Sequence, residues 1–165
     1  MPFSVVVPGI DETPQPAESP EIYASRVARE KALDVSTRVS GALILSADTV
    51  VTLDDEILGK PVDREDAIRM LEKLSGREHT VYTAVCVVDQ PRGRRLEGIE
   101  GTLVRFRRLD RQEIVAYVER ENVMDKAGAY AIQGFAKDFI PGIEGSYSNV
   151  MGLPLALVYN LLRKP

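Results

Sequence analysis

Ser46-Ala47-Asp48-Thr49-Val50-Val51, followed closely by Leu58-Gly59-Lys60-Pro61, sets a carboxylate inside an apolar run and an ammonium just beyond its end. From Ala42 to Leu53 nearly every side chain is aliphatic or small, so the stretch reads as buried strand. An ionised acid there is costly unless it is paired or bound to a metal. Asp48 is therefore the first site candidate, and its strand is the element around which the fold is read.

Downstream, Leu53-Asp54-Asp55-Glu56 supplies turn chemistry before Ile57-Leu58, which gives a hairpin arm. Asp63 then caps a helix running through Leu74, with Ala67, Met70, Leu71 and Leu74 on one face and Gly76 as the stop. His79 to Asp89, rich in Val, Thr and Tyr, reads as a long strand that turns at Gln90-Pro91-Arg92-Gly93 into an antiparallel partner ending near Arg107. Asp110 with Glu113 makes a capping box for a helix through Val118. Ala129 to Gln133 and Asp138 to Ile143 are short strand candidates, and Leu153-Pro154 opens a terminal helix.

Upstream, Ser19-Pro20-Glu21 has the capping hydroxyl, first-turn proline and acid of a helix start, and a helix to about Val39 follows. Ala24, Val27, Ala28, Ala32, Val35 and Val39 form its apolar stripe. Lys31 falls within that stripe, so its ammonium either snorkels past the edge or points into a polar pocket. With no repeat and no linker, the elements predict a single α/β domain over 1–165, a twisted mixed β-sheet flanked by helices.

Composition narrows the chemistry. The 165 residues suffice for one core, and 44% hydrophobic with 28% charged residues is ordinary for a globular protein. One cysteine, Cys86, and one histidine, His79, exclude a disulfide and a Cys/His zinc cage, so any metal must be held by oxygens. A net charge of -4 without a basic, aromatic-studded stripe argues against nucleic acid as partner. No apolar run approaches the roughly 20 residues that span a bilayer, and the first residues lack a signal-peptide pattern, so neither a membrane nor export is expected and the location read is cytoplasmic.

Seven blocks occur in one order: Ala28-Arg29-Glu30-Lys31-Ala32, Ala47-Asp48-Thr49-Val50-Val51, Gly59-Lys60-Pro61, Met70-Leu71-Glu72-Lys73-Leu74-Ser75-Gly76, Asp125-Lys126-Ala127-Gly128-Ala129-Tyr130, Ile132-Gln133-Gly134 and Gly152-Leu153-Pro154-Leu155. Together they resemble the Maf family of nucleoside triphosphate pyrophosphatases over nearly the full length. Two departures stand out. Family members begin with a strand and a Ser-Pro-Arg-Arg loop that this sequence lacks, which makes it look like a shortened version, and Ser46 stands where the family has glycine.

The resemblance implies a nucleotide cleft and hydrolysis between the α- and β-phosphates, giving a monophosphate and pyrophosphate with a divalent cation such as Mg or Mn. A triphosphate needs cations around it and a water delivered in line. The resemblance assigns Asp48 as acceptor of the water's proton, and Lys31, Lys60 and Glu12 to the catalytic group. Asp48 and Glu12 are also the candidate metal ligands; base and ligand roles for Asp48 are inseparable at this level. Thr49 and Gln133 match positions tied to base selection, and an amide suits a pyrimidine edge. Ile132-Gln133-Gly134 and the approach to Gly152-Leu153-Pro154 look like the dTTP/UTP-cleaving branch. Alternatives are a pyrophosphatase for 7-methyl-GTP or ITP, and a non-hydrolysing nucleotide-binding regulator linked to septum formation. The resemblance also implies a possible homodimer.

Overall fold

The computed structural model describes residues 2–165. One five-stranded sheet lies at its centre in the order β2-β1-β3-β4-β5, where β1 is Leu43–Leu53, β2 Glu56–Leu58, β3 Glu78–Asp89, β4 Arg94–Arg105 and β5 Gly142–Glu144. Around it lie α1 (Pro20–Ser36), α2 (Arg64–Leu74), α3 (Arg111–Arg120), α4 (Tyr147–Val150) and α5 (Leu155–Leu162). The α/β class and the helix-flanked sheet therefore stand.

The sheet is antiparallel at every pairing, which corrects the expected mixed arrangement. The reason is topological. Helix α2 carries the chain across from β2 to β3, and those two strands do run the same way, but β1 lies between them and opposes both. Asp54 and Asp55, both at positive φ, make the two-residue turn that folds β2 back on β1. Because β2 pairs only with Val51 to Leu53, no strand among the described residues pairs with the outer edge of β1 from 43 to 50.

Helix α1 packs on one sheet face through Ala24, Val27, Ala28, Ala32 and Val35, against Ile44 and Val50 of β1 and Ala84 and Cys86 of β3. Three alanines on that stripe let the helix axis come close, so close that the Ser46 hydroxyl donates to the Ala28 carbonyl at 2.5 Å. Ser19 caps the helix start and Pro20 occupies the first turn, as the sequence predicts. On the opposite face Val158 and Leu161 of α5 cover Val85 and Val87. The largest core joins α2 and α3 to the far end of the sheet through Leu71, Leu74, Phe106, Ile114 and Val104. Burying such side chains contributes roughly 1.5–3 kcal/mol each. The many exposed ion pairs, such as Arg64 with Glu119, add little beside that.

Ala129 to Gln133 is not the short strand the pattern predicts. Gly128 and Ala129 both adopt positive φ (67° and 62°), and Gly134 does too, so the chain winds through two short 3-10 turns, Ala127–Ala129 and Gly134–Phe139. Positive φ breaks strand extension. Gly128 is also a junction: its N–H donates to the Gly59 carbonyl at 3.1 Å, and a Cβ there would sit 2.9 Å from Val51 Cγ1. Gly128→Ala is expected to lower the unfolding free energy by about 2 kcal/mol, from backbone strain plus overpacking. Urea unfolding measures this; an unchanged midpoint would show that the junction yields freely.

Candidate active site

Residues 47–51 of β1 line a cleft of about 790 Å³. Successive side chains of a strand point to opposite faces, so Asp48 projects toward α1 and Thr49 toward α4, yet both line this cleft. Lys31, Lys60, Glu12 and Gln133 line it as well, so the cleft brings together all six residues singled out from the sequence.

Lys31 sits at the centre of the charged end. Its Nζ lies 2.8 Å from Asp48 Oδ1, to which it donates, and 3.3 Å from Glu12 Oε1. The ammonium therefore points into a polar pocket and does not snorkel outward. Burial pulls the Lys31 pKa down, but the hydrogen bond and charge of Asp48, with Glu12 behind, outweigh it and the net shift is upward. Lys31 stays a cation.

Asp48 is only 8% exposed, and its Oδ2 has no hydrogen-bond partner. Burial pushes its carboxyl above the ordinary 3.8, against the pull of Lys31 and, more weakly, of Lys60. A carboxylate that lines a cleft with one oxygen fixed and the other unpartnered is placed to take a proton or to meet a cation. Exposed Lys60 reaches the same cleft from the loop after β2.

Glu12 comes from an irregular segment laid along α1. Gly9 N–H donates to Asp34 Oδ2 at 3.0 Å, and Arg38 and Arg26 donate to the carbonyls of Val7 and Thr13 at 2.9 and 3.1 Å. Tyr23 Oη donates to the Glu12 carbonyl at 2.7 Å. Tyr23 was not singled out from the sequence. The signal was present: Tyr23, Val27 and Lys31 are spaced by four and share one helix face. Burial first, then the charges of Asp48 and Glu12, push its phenol up to about 12.

The other end of the cleft is made by Thr49, Gln133, Met151 and Gly152, with Asp125 and Lys126 on the rim. Asp125 and Lys126 also pair with each other at 3.6 Å. Behind them, Tyr130 is buried and its hydroxyl meets His79 Nε2 at 2.7 Å. His79 is a buried residue at the start of β3; burial pulls its pKa down to about 4, so at neutral pH it is an uncharged support. Cys86 is buried packing against α1, as its valine neighbours suggest.

A family model described as Maf-like protein matches residues 1–165. The chain belongs to the Maf family. Three Maf relatives carry the name dTTP/UTP pyrophosphatase. The one from Pelotomaculum thermopropionicum is 47% identical over 166 residues, covering 98% of this chain and 85% of that relative. That from Ruminiclostridium cellulolyticum is 44% identical, covering 99% and 86%. That from Geobacter sulfurreducens is 48% identical, covering 98% and 85%.

Since the hydrogen bond and charge of Lys31 pull the Asp48 pKa down, Lys31→Met is expected to move the Asp48 titration to higher pH. Carbon-13 NMR of the aspartate carboxyls reads this directly. A midpoint that stays put or falls would show that the ammonium does not control the acid.

Proposed function

We propose that this Maf protein hydrolyses dTTP and UTP to the nucleoside monophosphate and pyrophosphate. The observation that carries the reading is the Asp48 carboxylate lining the cleft, with one oxygen bound by Lys31 and the other buried without a partner. The name borne by relatives at 44% to 48% identity over nearly the whole chain supports the choice of nucleotides.

In the proposed reaction the triphosphate lies with its phosphates toward Lys31 and Lys60, which balance its negative charge. A water held at the Asp48 carboxylate gives up its proton to it and attacks phosphorus in line with the bridging oxygen. The P–O bond breaks, and pyrophosphate leaves with the electron pair. Holding water and phosphorus in fixed register contributes more than the proton transfer alone. Lys31 does two things: it pulls the Asp48 pKa down against the effect of burial, and it occupies one of the two carboxylate oxygens.

A divalent cation is part of the proposal. Among the described residues no group of three acidic, histidine or cysteine side chains could form a complete cage. Magnesium in nucleotide sites commonly takes one or two carboxylates together with phosphate oxygens. The unpartnered Oδ2 of Asp48 and the half-exposed carboxylate of Glu12 fit that demand. Bound there, the ion would supply charge neutralisation on the phosphates. A cytoplasmic location is part of the same reading, since nucleoside triphosphates are made and used there.

Pyrophosphate release from dTTP, UTP, 7-methyl-GTP and ITP with magnesium or manganese tests the proposal. Release is expected from the first two, and Asp48→Asn is expected to lower kcat by about a thousandfold. Binding without release would favour a regulator. The acid must be ionised to accept a proton, so activity is expected to fall as pH drops through an Asp48 value raised above 3.8. Activity that stays flat through the whole carboxylate range would remove Asp48 as the proton acceptor.

A further inference from the structure

A file of buried polar groups runs from the cleft to α4, and its geometry fixes the direction of every proton in it. Thr49 Oγ1 lies 2.9 Å from Thr83 Oγ1, its cross-strand partner in the β1/β3 register. Thr83, fully buried, has its Oγ1 3.0 Å from the backbone carbonyl of Asn149. That carbonyl cannot donate, so Thr83 must, and a hydroxyl has only one proton to give. In the Thr49 contact Thr83 is therefore the acceptor and Thr49 the donor. Asn149 is locked in turn: its Nδ2 donates to Val81 O at 3.1 Å and to Thr102 Oγ1 at 2.8 Å, and its N–H to Ser146 Oγ at 3.2 Å. Turning Thr83 around would strand the Asn149 carbonyl contact between two fully buried residues.

The consequence reaches the cleft. With its proton committed inward, Thr49 presents only oxygen lone pairs to a ligand. We propose that Thr83, backed by the Asn149 carbonyl, is a positioning residue that makes Thr49 an acceptor-only contact and so selects a pyrimidine carrying an imino N–H over one with a bare ring nitrogen. Thymine and uracil carry N3–H on that edge; cytosine offers a lone pair at N3 and would face lone pair against lone pair. A site built to accept a hydrogen bond rejects an analogue that cannot donate one more strongly than any hydrophobic fit can. This rests on the reading of the cleft as a dTTP/UTP site and adds how its base preference is set.

The test uses Thr83→Val, which keeps shape and removes the acceptor, and Thr83→Ser, which keeps the hydroxyl. In Thr83→Val the Thr49 proton is released and can serve a bare ring nitrogen. The ratio of kcat/KM for dTTP over dCTP is expected to fall about tenfold, chiefly by a gain on dCTP, while Thr83→Ser keeps the ratio of the unaltered protein. A general packing defect would lower both nucleotides together; that result, or an unchanged ratio, overturns the proposal and leaves the hydrolytic reading intact. If Thr83→Val does not fold by circular dichroism, Thr83→Ala is read in the same way. Calorimetric binding of dTMP against dCMP gives the same comparison without turnover: loss of preference in the valine variant supports the proposal, and retained preference sinks it. Absence of pyrophosphate release from dTTP and UTP by the unaltered protein would remove the hydrolytic reading itself, and an absent dTMP preference beside it the positioning role as well.

Discussion

The contact between Lys31 Nζ and Asp48 Oδ1 is the constraint on which the rest of the site depends. Taking both charges out of water costs several kcal/mol per ion, and their mutual attraction repays this only with good geometry and further partners. Here the geometry is short but the partners are incomplete, since one carboxylate oxygen is left without a hydrogen bond. A pair built for stability alone would satisfy that oxygen. What the fold does instead is bring the helix close enough to enforce the contact: alanines at 24, 28 and 32 thin the interface, and Ser46 bonds to the Ala28 carbonyl one turn from Lys31. The result is a fixed cation and a fixed acid at the cleft, with one carboxylate oxygen left without a partner.

Glu12 and Lys60 join this centre by different routes. Lys60 follows from the hairpin: β2 is three residues long, and the loop after it is tied to the Gly128 N–H through the Gly59 carbonyl. Glu12 depends on Tyr23 and Arg26 of α1, and Arg38 just beyond it, reaching out to backbone carbonyls in a segment with no regular structure of its own. One element is held by backbone and the other by Arg and Tyr caps, so the charged end has a rigid half and a strapped half.

Much of this was legible in the sequence because it follows from burial logic. A carboxylate in an apolar strand and a lysine in an apolar helix stripe are local anomalies, and each was visible at one residue. The capping residues Ser19, Asp63 and Asp110 sit where the pattern put them. What was not legible was non-local. The sheet's antiparallel character turns on β1 inserting between two strands that a helical crossover would otherwise make neighbours. The stretch after Gly128 has strand-like composition but positive φ at 128 and 129, which an alanine gives no sign of. Thr83 and Asn149 look like ordinary polar residues of a strand and a loop; only the register that sets Thr83 opposite Thr49 joins them.

That register also explains how one strand serves two kinds of recognition. Asp48 and Thr49 are neighbours, so the pleat sends them to opposite faces: one meets the ammonium on α1, the other the hydroxyl file that ends at α4. Both nonetheless line the same cleft. A slip of one residue in the β1/β3 pairing would turn Asp48 toward the α5 side and Thr49 toward Lys31, exchanging charge for hydroxyl at both ends. The ten consecutive pairs from Leu43 with Asp89 to Thr52 with Thr80, fixed by the apolar set facing α1, are therefore as much a part of the site as the residues that line it.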